Sequence, residues 1–465
     1  MTRILNKIFF IFSIFLFLYT FYRSEIHWGG SNRNYYLNYY FLSFLCISIS
    51  LIFFYLRESI KIYFFITLFS FIFSLYVFEI FLSKGGLNQN KLNSHKKNTQ
   101  KIQIYKKTTN KDYDTRSRFQ IYEDFLKLDP HTALTIGREN YLTYNSENSN
   151  SNLFPLGGKS NAKTINCNES GYYSIFNSDR YGFNNPDYEW DKEEIEFFLI
   201  GDSFALGSCV NRPHDFASVL RNLSNKSAIT VGIGSNGPLT EKASLDEYSS
   251  KKIKNIIWFY YEFNDIFDLD AELKSNILIK YLEDINFSQN LINRQTEIDL
   301  FYDLVIQDAV KKYNDGLLIK DDSNFFSIYK FLKFIKLYKT RSLLNEIIFN
   351  RYETTFTTEE NFLIFEKISK EIKDKSIQLN ANLYFVYLPS LVRYSNNKFL
   401  NVLENERKTI KQIIKKQNIN FIDIKEFFQE IKNPKKYFPF ETEMHYTQEG
   451  FKKISEKIYL FIKNN

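Results

Sequence analysis

The stretch that decides the fold is Phe198–Gly207, which reads FLIGDSFALG. It overlaps a mostly apolar run, Ile195–Ile200, and this short, branched and aromatic run predicts a buried parallel strand. A turn of small residues follows, and helical spacing returns at residues 215–223. A serine in such a strand-to-helix turn lies at the carboxyl edge of the sheet, where α/β proteins bind their ligands. Ser203 is therefore a candidate nucleophile, with an ordinary helix-capping serine as the alternative.

A histidine far downstream is the natural partner of this serine. His445 is one of five histidines, and it lies between Glu443 and a Thr-x-x-Gly turn that precedes a final amphipathic helix. A serine hydroxyl is a weak nucleophile until a base takes its proton, and histidine is the usual base near neutral pH. A carboxylate behind the imidazole would fix its tautomer. The sequence offers Glu443 or Glu441 for that role, and a Ser203–His445 dyad if neither reaches.

Four segments together resemble the SGNH (GDSL-type) hydrolase superfamily, and the Tyr181–Asn184 stretch before the first strand resembles the lead-in of its members that modify bacterial polysaccharides. The four segments are Gly201–Phe204, the glycine-containing turn within Thr230–Pro238, the strand Ile256–Asp265 that ends in Asn-Asp, and the acid-x-His segment at His445. The resemblance covers residues 183–461 and keeps the four blocks in order. It implies a three-layer α/β/α sandwich with a parallel, flavodoxin-like sheet, which the alternation of strands and helices also favours. It implies an ester hydrolase or O-acyltransferase that uses no cofactor and no metal.

The resemblance assigns roles to residues in each block. It makes Ser203 the nucleophile and His445 the base, with Asp202 and Asp265 in supporting positions. A tetrahedral intermediate places a full charge on oxygen, and losing one fixed donor to that oxygen typically costs about 3 to 4 kcal/mol of barrier. The implied donors of this oxyanion hole are the backbone N–H of Ser203, a backbone N–H at Gly234 or Ser235, and the side-chain amide of Asn264.

Three departures from the family pattern bear on this site. Ser235 stands where the family has a glycine, and Glu262-Phe263 replaces the glycine before the Asn-Asp pair. The acid before His445 is a glutamate, where the family usually has an aspartate. These departures keep a second hypothesis open, in which the same fold is catalytically inactive and acts as a glycan-binding or assembly partner at a membrane.

The N-terminal part of the chain is strongly apolar and predicts a transmembrane region over residues 1–84. A membrane-spanning helix needs about 20 apolar residues, and three segments approach that length: 4–22, 39–56 and 60–82. Basic residues stand at the start and between the second and third segments, which favours an inside location for both places. The multi-pass protein would then lie in a bacterial inner membrane with its catalytic domain periplasmic or otherwise extracytoplasmic. A lipid esterase facing the cytoplasm is the alternative.

The rest of the chain divides by composition. The predicted parts are a polar, lysine-rich linker at 85–116, a preface segment at 117–190, and a hydrolase domain at 191–465 with a helical insertion at about 268–375. The insertion is either a cap over the site or a helical layer on the sheet. The expected partners are an acylated glycan, or another ester substrate, and the lipid bilayer.

Cysteine usage and charge narrow the function classes. Cys167 and Cys209 are either joined in a disulfide, as an oxidising compartment would allow, or left as two unpaired thiols. The sequence has no Cys-x-x-Cys or His-Glu-x-x-His pattern, which argues against zinc, and no Walker or dinucleotide glycine motif. The net charge of +7 is spread along the chain without a basic-aromatic stripe, so nucleic acid is not an expected partner.

Overall fold

The structure of the protein is a computed structural model. The residues that it describes are 2–27, 33–83, 89–138, 140–141, 152–262, 264–314, 334–341, 343, 359–395 and 400–464. The chain forms two compact units. One comprises Met1–Leu92 and Asp322–Tyr352, and the other comprises Asn93–Asp321 and Glu353–Asn465.

The N-terminal unit contains three long helices, α1 (Thr2–Phe21), α2 (Arg33–Ile52) and α3 (Glu58–Ser83). A π-helical turn, Tyr22–His27, extends α1. Among the described residues, two helical stretches are long and apolar enough to cross a membrane, Ile4–Ile26 and Glu58–Ser83. The apolar part of α2 is shorter, because its first turn is polar and the helix ends at Ile52. The structure therefore supports two of the three predicted spans by length and composition.

Part of the helical insertion belongs to this N-terminal unit. The buried carboxylate of Glu79 in α3 accepts hydrogen bonds from the backbone N–H of Lys339 at 2.9 Å and of Thr340 at 2.8 Å. Residues 334–341 are thus packed against α3, whereas the sequence analysis placed the whole insertion, 268–375, in the hydrolase domain. A buried carboxylate needs such donors, because an unpaired charge in an apolar environment is costly.

The predicted polar, lysine-rich linker at 85–116 contains a helix, α4 (Gln89–Thr109), which its sequence, without a clear period, did not predict. Lys101 of α4 forms an ion pair with Glu443 at 2.6 Å, and the buried ring of Tyr105 packs against Gly171. The sequence of α4 is lysine-rich and lacks a continuous apolar face. By composition alone it therefore resembles a polar linker. These contacts within the second unit stabilise a helix that its own sequence would form only weakly.

The preface segment forms a small sheet in the same unit as the main sheet. Helix α5 (Arg118–Leu126) begins at a capping box formed by Ser117 and Gln120. Three short strands follow: β1 (Ala133–Leu134), β2 (Lys163–Ile165) and β3 (Ile175–Asn177), in the order β1-β2-β3. The β2–β3 loop, residues 166–174, is closed by backbone hydrogen bonds between its two ends.

Five parallel strands form the main sheet and confirm the predicted α/β class. They are β4 (Glu194–Ile200), β5 (Ala228–Thr230), β6 (Lys252–Tyr261), β7 (Asn382–Leu388) and β8 (Asn420–Asp423). Their spatial order is β5-β4-β6-β7-β8. Counted within this sheet the order is 2-1-3-4-5, the flavodoxin-like arrangement, whose switch point lies between the first and third strands.

Helices cover both faces of the sheet, because the side chains of its strands alternate between two cores. In β4, Phe198 and Ile200 contribute to one core, while Phe197 and Leu199 contribute to the other. After β4, the described residues of this unit form the helices α6 (Ser203–Leu206), α7 (Phe216–Ser224), α8 (Pro238–Tyr248), α9 (Asp265–Glu272), α10 (Leu278–Glu283), α11 (Gln295–Asn314), α12 (Glu359–Gln378), α13 (Leu391–Ser395), α14 (Leu400–Lys416), α15 (Ile424–Gln429) and α16 (Gln448–Lys463). The first core is covered by α8, α12 and α14, and the second by α7 and α16.

The first part of the insertion is a helical layer on the sheet. Helices α9 and α10 pack against α8, and α11 contributes to the same core. The sequence left two alternatives for the insertion, a cap over the site and a helical layer on the sheet. The packing of α9, α10 and α11 agrees with the helical layer. Residues 315–333 and 344–358 of the insertion lie outside the described residues.

The unusual Glu262 at the end of β6 has a structural partner. Its fully buried carboxylate accepts hydrogen bonds from Arg393 Nη2 at 2.6 Å, the Tyr387 hydroxyl at 2.8 Å and the Ser390 backbone N–H at 2.7 Å. This network ties the end of β6 to the end of β7, two residues before Asn264. Glu262 stands where the family that the sequence resembles has a glycine, and its carboxylate is accommodated by the buried ion pair with Arg393.

Replacing Arg393 with methionine is expected to leave the Glu262 carboxylate buried without its cation. We expect the free energy of unfolding of the unit that contains the main sheet to fall by about 3 to 5 kcal/mol, as measured by denaturant titration of tryptophan fluorescence in the full-length protein. The control is Arg294→Met, which removes a more exposed pair with Glu297 and is expected to cost about 0 to 1 kcal/mol. Equal losses in the two variants would contradict a stabilising role for the buried pair.

Candidate active site

Ser203 lies at the carboxyl edge of the sheet, as its position after the strand predicts. It is the first residue of α6 and directly follows Asp202, whose carboxylate accepts a hydrogen bond from the Phe204 backbone N–H at 2.8 Å. The turn after β5 approaches this turn closely at Gly232. A Cβ at Gly232 would lie 2.6 Å from the Cβ of Ala205, so only glycine allows the approach.

The loop before α16 brings His445 to this serine. Its Nε2 lies 2.9 Å from the Ser203 Oγ. Two neighbours of His445 anchor the loop: the Tyr446 hydroxyl donates to the Pro389 carbonyl at 2.7 Å, and Thr447 caps α16. The two side chains that the sequence analysis paired therefore lie within hydrogen-bonding distance of each other.

The carboxylate behind the imidazole comes from Glu169. Its Oε1 lies 2.9 Å from His445 Nδ1, and its Oε2 accepts the His445 backbone N–H at 2.8 Å. With the proton on Nδ1 donated to Glu169, Nε2 is free to accept the Ser203 hydroxyl proton. Only 16% of the His445 side chain and 15% of the Glu169 side chain are exposed, so the pair is largely shielded from water.

This arrangement corrects the expectation that Glu443 or Glu441 orients the imidazole. Glu443 pairs with Lys101 at 2.6 Å, and Glu441 accepts a hydrogen bond from Asn433 at 3.0 Å. The chain before His445 folds into short turns with left-handed backbone at Phe440 (φ 53°) and Glu441 (φ 57°), so proximity in sequence does not become proximity to Nδ1.

Glu169 was not predicted as the acid, because it lies 276 positions from His445 in the preface segment and no recognisable motif surrounds it. The one signal in the sequence was Cys167, two residues earlier, because a disulfide to Cys209 would bring this segment close to Ser203. The structure joins Cys167 to Cys209, which realises the disulfide alternative. The Cys209 sulfur lies 3.6 Å from His445 Nδ1, so the bond passes beside the acid–imidazole contact. Since both sulfurs are bonded to each other, neither is a thiolate available to a metal.

Two of the residues expected at the oxyanion hole, Gly234 and Asn264, lie close to Ser203 or to its neighbour Asp202. A Cβ added to Gly234 would stand 3.9 Å from the Ser203 Cβ, so this glycine faces the nucleophile. Ser235 adopts φ 60°, a left-handed conformation that glycine would reach without strain. The Asn264 side-chain amide lies 3.3 Å from the Asp202 carboxylate. An amide NH₂ carries two donors, so this contact uses only one of them.

The two supporting aspartates shape these turns from within. Asp202 Oδ2 lies 3.4 Å from the Ser203 hydroxyl, and burial raises the pKa of this carboxyl. Asp265 accepts the Tyr261 backbone N–H at 2.9 Å and so closes the turn that carries Asn264. Burial, with a contribution from Glu241, raises the pKa of Asp265 well above its usual value. Asp265 therefore acts on the site through the geometry of its turn, whereas Asp202 acts through both the turn and its charge near His445.

The electrostatics of the triad favour an ionised acid and a titrating base. Burial lowers the pKa of His445, but the Glu169 carboxylate, with help from Asp202 and Glu443, raises it to above its usual 6.5. Burial acts to raise the pKa of Glu169, but His445 and Lys101 together hold it below its usual value. The pair can therefore store the proton that Ser203 gives up.

Comparisons with known proteins give limited similarity. No protein-family model and no curated protein sequence matches the chain. A solved lipase/acylhydrolase from Enterococcus faecalis is 11% identical with a TM-score of 0.30, covering 58% of this chain and 96% of that one. A protein from Desulfitobacterium hafniense, described as lipolytic and of the G-D-S-L family, is 14% identical with a TM-score of 0.27, covering 58% and 99%. The roles of Ser203, His445 and Glu169 therefore rest on the distances between their side chains.

Replacing Glu169 with glutamine should test which carboxylate orients the imidazole. An amide cannot stabilise the imidazolium, so we expect the rate of ester cleavage to fall by about 10² to 10⁴-fold. The matched control is Glu443→Gln, which removes the carboxylate nearest in sequence. Glu443 does not contact Nδ1 and acts less than Glu169 on the pKa of His445, so this change is expected to lower the rate by less than about tenfold. A larger loss in Glu443→Gln than in Glu169→Gln would contradict the assignment.

The pH profile gives a second readout of the same variant. Ester cleavage requires an unprotonated Nε2, so the rate should rise as pH increases through the pKa of His445. Glutamine at position 169 removes the carboxylate that raises this pKa, so the rising limb should move to lower pH. An unchanged or higher midpoint in Glu169→Gln would show that the carboxylate does not act on His445.

Proposed function

We propose that this chain is a serine ester hydrolase or O-acyltransferase of the SGNH type, anchored to a membrane. The observation that carries the proposal is the continuous relay from the Ser203 Oγ to His445 Nε2 and from His445 Nδ1 to Glu169, with 2.9 Å at each step. A hydroxyl, an imidazole and a carboxylate in this order form the arrangement that activates a serine for acyl transfer.

In the first half of the reaction, the Ser203 Oγ attacks the ester carbonyl carbon while its proton passes to His445 Nε2. The carbonyl oxygen gains the negative charge. The Ser203 backbone N–H, a backbone N–H at Gly234 or Ser235, and the second amide hydrogen of Asn264 are the donors for that charge. Collapse of the tetrahedral intermediate breaks the bond to the alcohol oxygen, which takes the proton from His445. The product is an acyl ester on Ser203.

In the second half, an acceptor hydroxyl attacks the acyl ester. His445 takes the acceptor's proton. The bond between the acyl carbon and the Ser203 oxygen then breaks, His445 returns the proton to that oxygen, and the acylated acceptor leaves the free enzyme. Water as the acceptor gives hydrolysis, and a sugar hydroxyl gives O-acyl transfer. Both outcomes use the same residues, so the choice depends on which acceptor occupies the site.

We propose acylated glycans of the cell envelope, O-acetylated ones among them, as the substrate class. Two apolar helices in the N-terminal unit are compatible with membrane anchoring. The Cys167–Cys209 disulfide favours an oxidising compartment such as the periplasm. A groove of about 650 Å³ lies beside the segments of Glu169 and His445 and does not include the triad residues themselves. Besides Lys111, Lys436 and Glu449, it presents aromatic, hydroxyl and amide side chains of the kinds that suit sugar rings. They include Tyr172, Phe440, Thr447 and Gln448, which flank the segments of the triad.

A fluorophosphonate probe should label the wild-type protein covalently and stoichiometrically, because its phosphorus reacts with an activated serine oxygen. Labelling measured by intact mass spectrometry should disappear in Ser203→Ala. The control is Ser208→Ala, a buried serine on the same loop that the proposal does not use, and it should label like the wild type. No labelling of the wild type would overturn the proposal and favour an inactive, glycan-binding role.

The proposed topology can be tested separately from the chemistry. A reporter fused after residue 465 should be active outside the cytoplasm if the catalytic unit is periplasmic. The proposed topology counts the shorter apolar helix α2 as a third span. The matched control therefore places the reporter after residue 57, between α2 and α3, where a cytoplasmic signal is expected. Cytoplasmic activity of the C-terminal fusion would contradict the glycan proposal and favour an inward-facing lipid esterase.

A further inference from the structure

We propose that the Cys167–Cys209 disulfide is the element that positions the acid of the triad, so that Glu169 holds His445 only in the oxidised protein. This inference rests on the function proposed above and adds the condition under which its site is complete. The disulfide acts through Glu169, and neither sulfur takes part in the acyl transfer.

The acid and the nucleophile come from different sheets, which is why a cross-link between them matters. Glu169 lies in the β2–β3 loop of the small preface sheet, two residues after Cys167. Ser203 follows β4 of the main sheet, and Cys209 comes six residues later in the same connection. The disulfide brings the two Cα atoms of the cysteines to 4.9 Å, and so ties the acid's loop to the nucleophile's loop.

The disulfide also lies against the contact that it supports. The Cys209 sulfur is 3.6 Å from His445 Nδ1, the atom that faces Glu169. A sulfur at this position covers one side of the acid–imidazole hydrogen bond with a weakly polar group. A hydrogen bond shielded from water is electrostatically stronger than an exposed one, so the disulfide favours both the position and the strength of this contact.

Hydrogen bonds between the two loops are present but are individually weaker constraints. They join Asn166 to Ser208 at 3.5 Å, Ile175 to Asn211 at 2.8 Å, and Asn177 to Arg212 at 2.8 Å. Each can exchange with water during local opening, whereas a covalent bond cannot. They hold the ends of the β2–β3 loop, while the disulfide acts next to the acid itself.

A double-mutant cycle on the full-length protein separates positioning from general stabilisation. The rate of fluorophosphonate labelling is measured in wild type, Cys167→Ala/Cys209→Ala, Glu169→Gln, and the combination of all three. If the disulfide acts through Glu169, the double cysteine variant loses at least tenfold in rate. Adding Glu169→Gln to it should then cost at least tenfold less than adding it to the wild type. A Glu169→Gln loss that differs by less than tenfold between the two backgrounds would overturn the proposal.

The third cysteine provides the matched control. Cys46 is the free cysteine among the described residues and lies in α2 of the N-terminal unit. Cys46→Ala should label at the wild-type rate. A loss comparable to that of the double cysteine variant would show that cysteine removal impairs the protein generally, and would overturn the positioning role.

A titration that does not need catalysis keeps this inference separate from the proposed function. In full-length protein labelled with ¹³C-histidine, the pKa of His445 is followed by NMR, with His445→Gln used for assignment. The charged groups facing this imidazole are Glu169, Asp202 and Glu443, with Lys101 acting on Glu169. We expect the pKa of His445 to fall in Cys167→Ala/Cys209→Ala toward its value in Glu169→Gln. An unchanged pKa would overturn the inference, even if the wild type fails to label and the function is lost.

Reduction of the wild-type protein covers the case in which the cysteine variants do not fold. Dithiothreitol gives two electrons and two protons to the disulfide and itself closes to a cyclic disulfide, leaving two cysteine thiols. With folding verified by tryptophan fluorescence, the pKa of His445 should fall on reduction and recover on reoxidation. A reduced, folded protein whose His445 pKa is the same as in the oxidised form would contradict the inference.

Discussion

The hydrogen bond between Glu169 and His445 Nδ1 is the interaction on which the chemistry of this site depends. It fixes which ring nitrogen faces Ser203, and it gives the buried imidazole a counter-charge when it takes a proton. Without it, burial would favour the neutral ring and disfavour the imidazolium that acyl transfer requires. The second contact, from the Glu169 carboxylate to the His445 backbone N–H, also fixes the orientation of the carboxylate.

Most of the structure around this contact serves to bring three distant segments together. The main sheet places Ser203 and the turn of Asn264 at the ends of adjacent strands, and the buried Glu262–Arg393 pair fixes the second of these turns. The anchored loop before α16 supplies His445. The preface segment supplies Glu169, so it is part of the site as well as a cover for the sheet. Helix α4 reaches the same region through Lys101, which pairs with Glu443.

Features that are encoded by residues close together in the sequence could be predicted, whereas features that depend on tertiary packing could not. The strand before Ser203 and the parallel sheet were predictable, since apolar runs and turn residues encode them locally. The Ser203–His445 pairing joins distant residues, but it was predictable from the chemistry of the two side chains and the resemblance of their segments to a known family. The acid was not, because its position depends on how a small separate sheet packs against the main one. Helix α4 was missed because tertiary contacts, not periodicity, stabilise it. The second span was predicted at 39–56, but α2 ends at Ile52 and its apolar part, Tyr36–Ile52, is shorter than the two candidate spans.

The central claim is that Glu169, His445 and Ser203 form one catalytic relay. An experimental structure of the full-length protein after reaction with a fluorophosphonate tests it most directly. We expect the phosphorus to be bonded to the Ser203 oxygen, its phosphonyl oxygen to lie within about 3 Å of the Gly234–Ser235 backbone and the Asn264 amide, and Glu169 to remain on His445 Nδ1. An adduct on another residue, or a different group on Nδ1, would contradict the account.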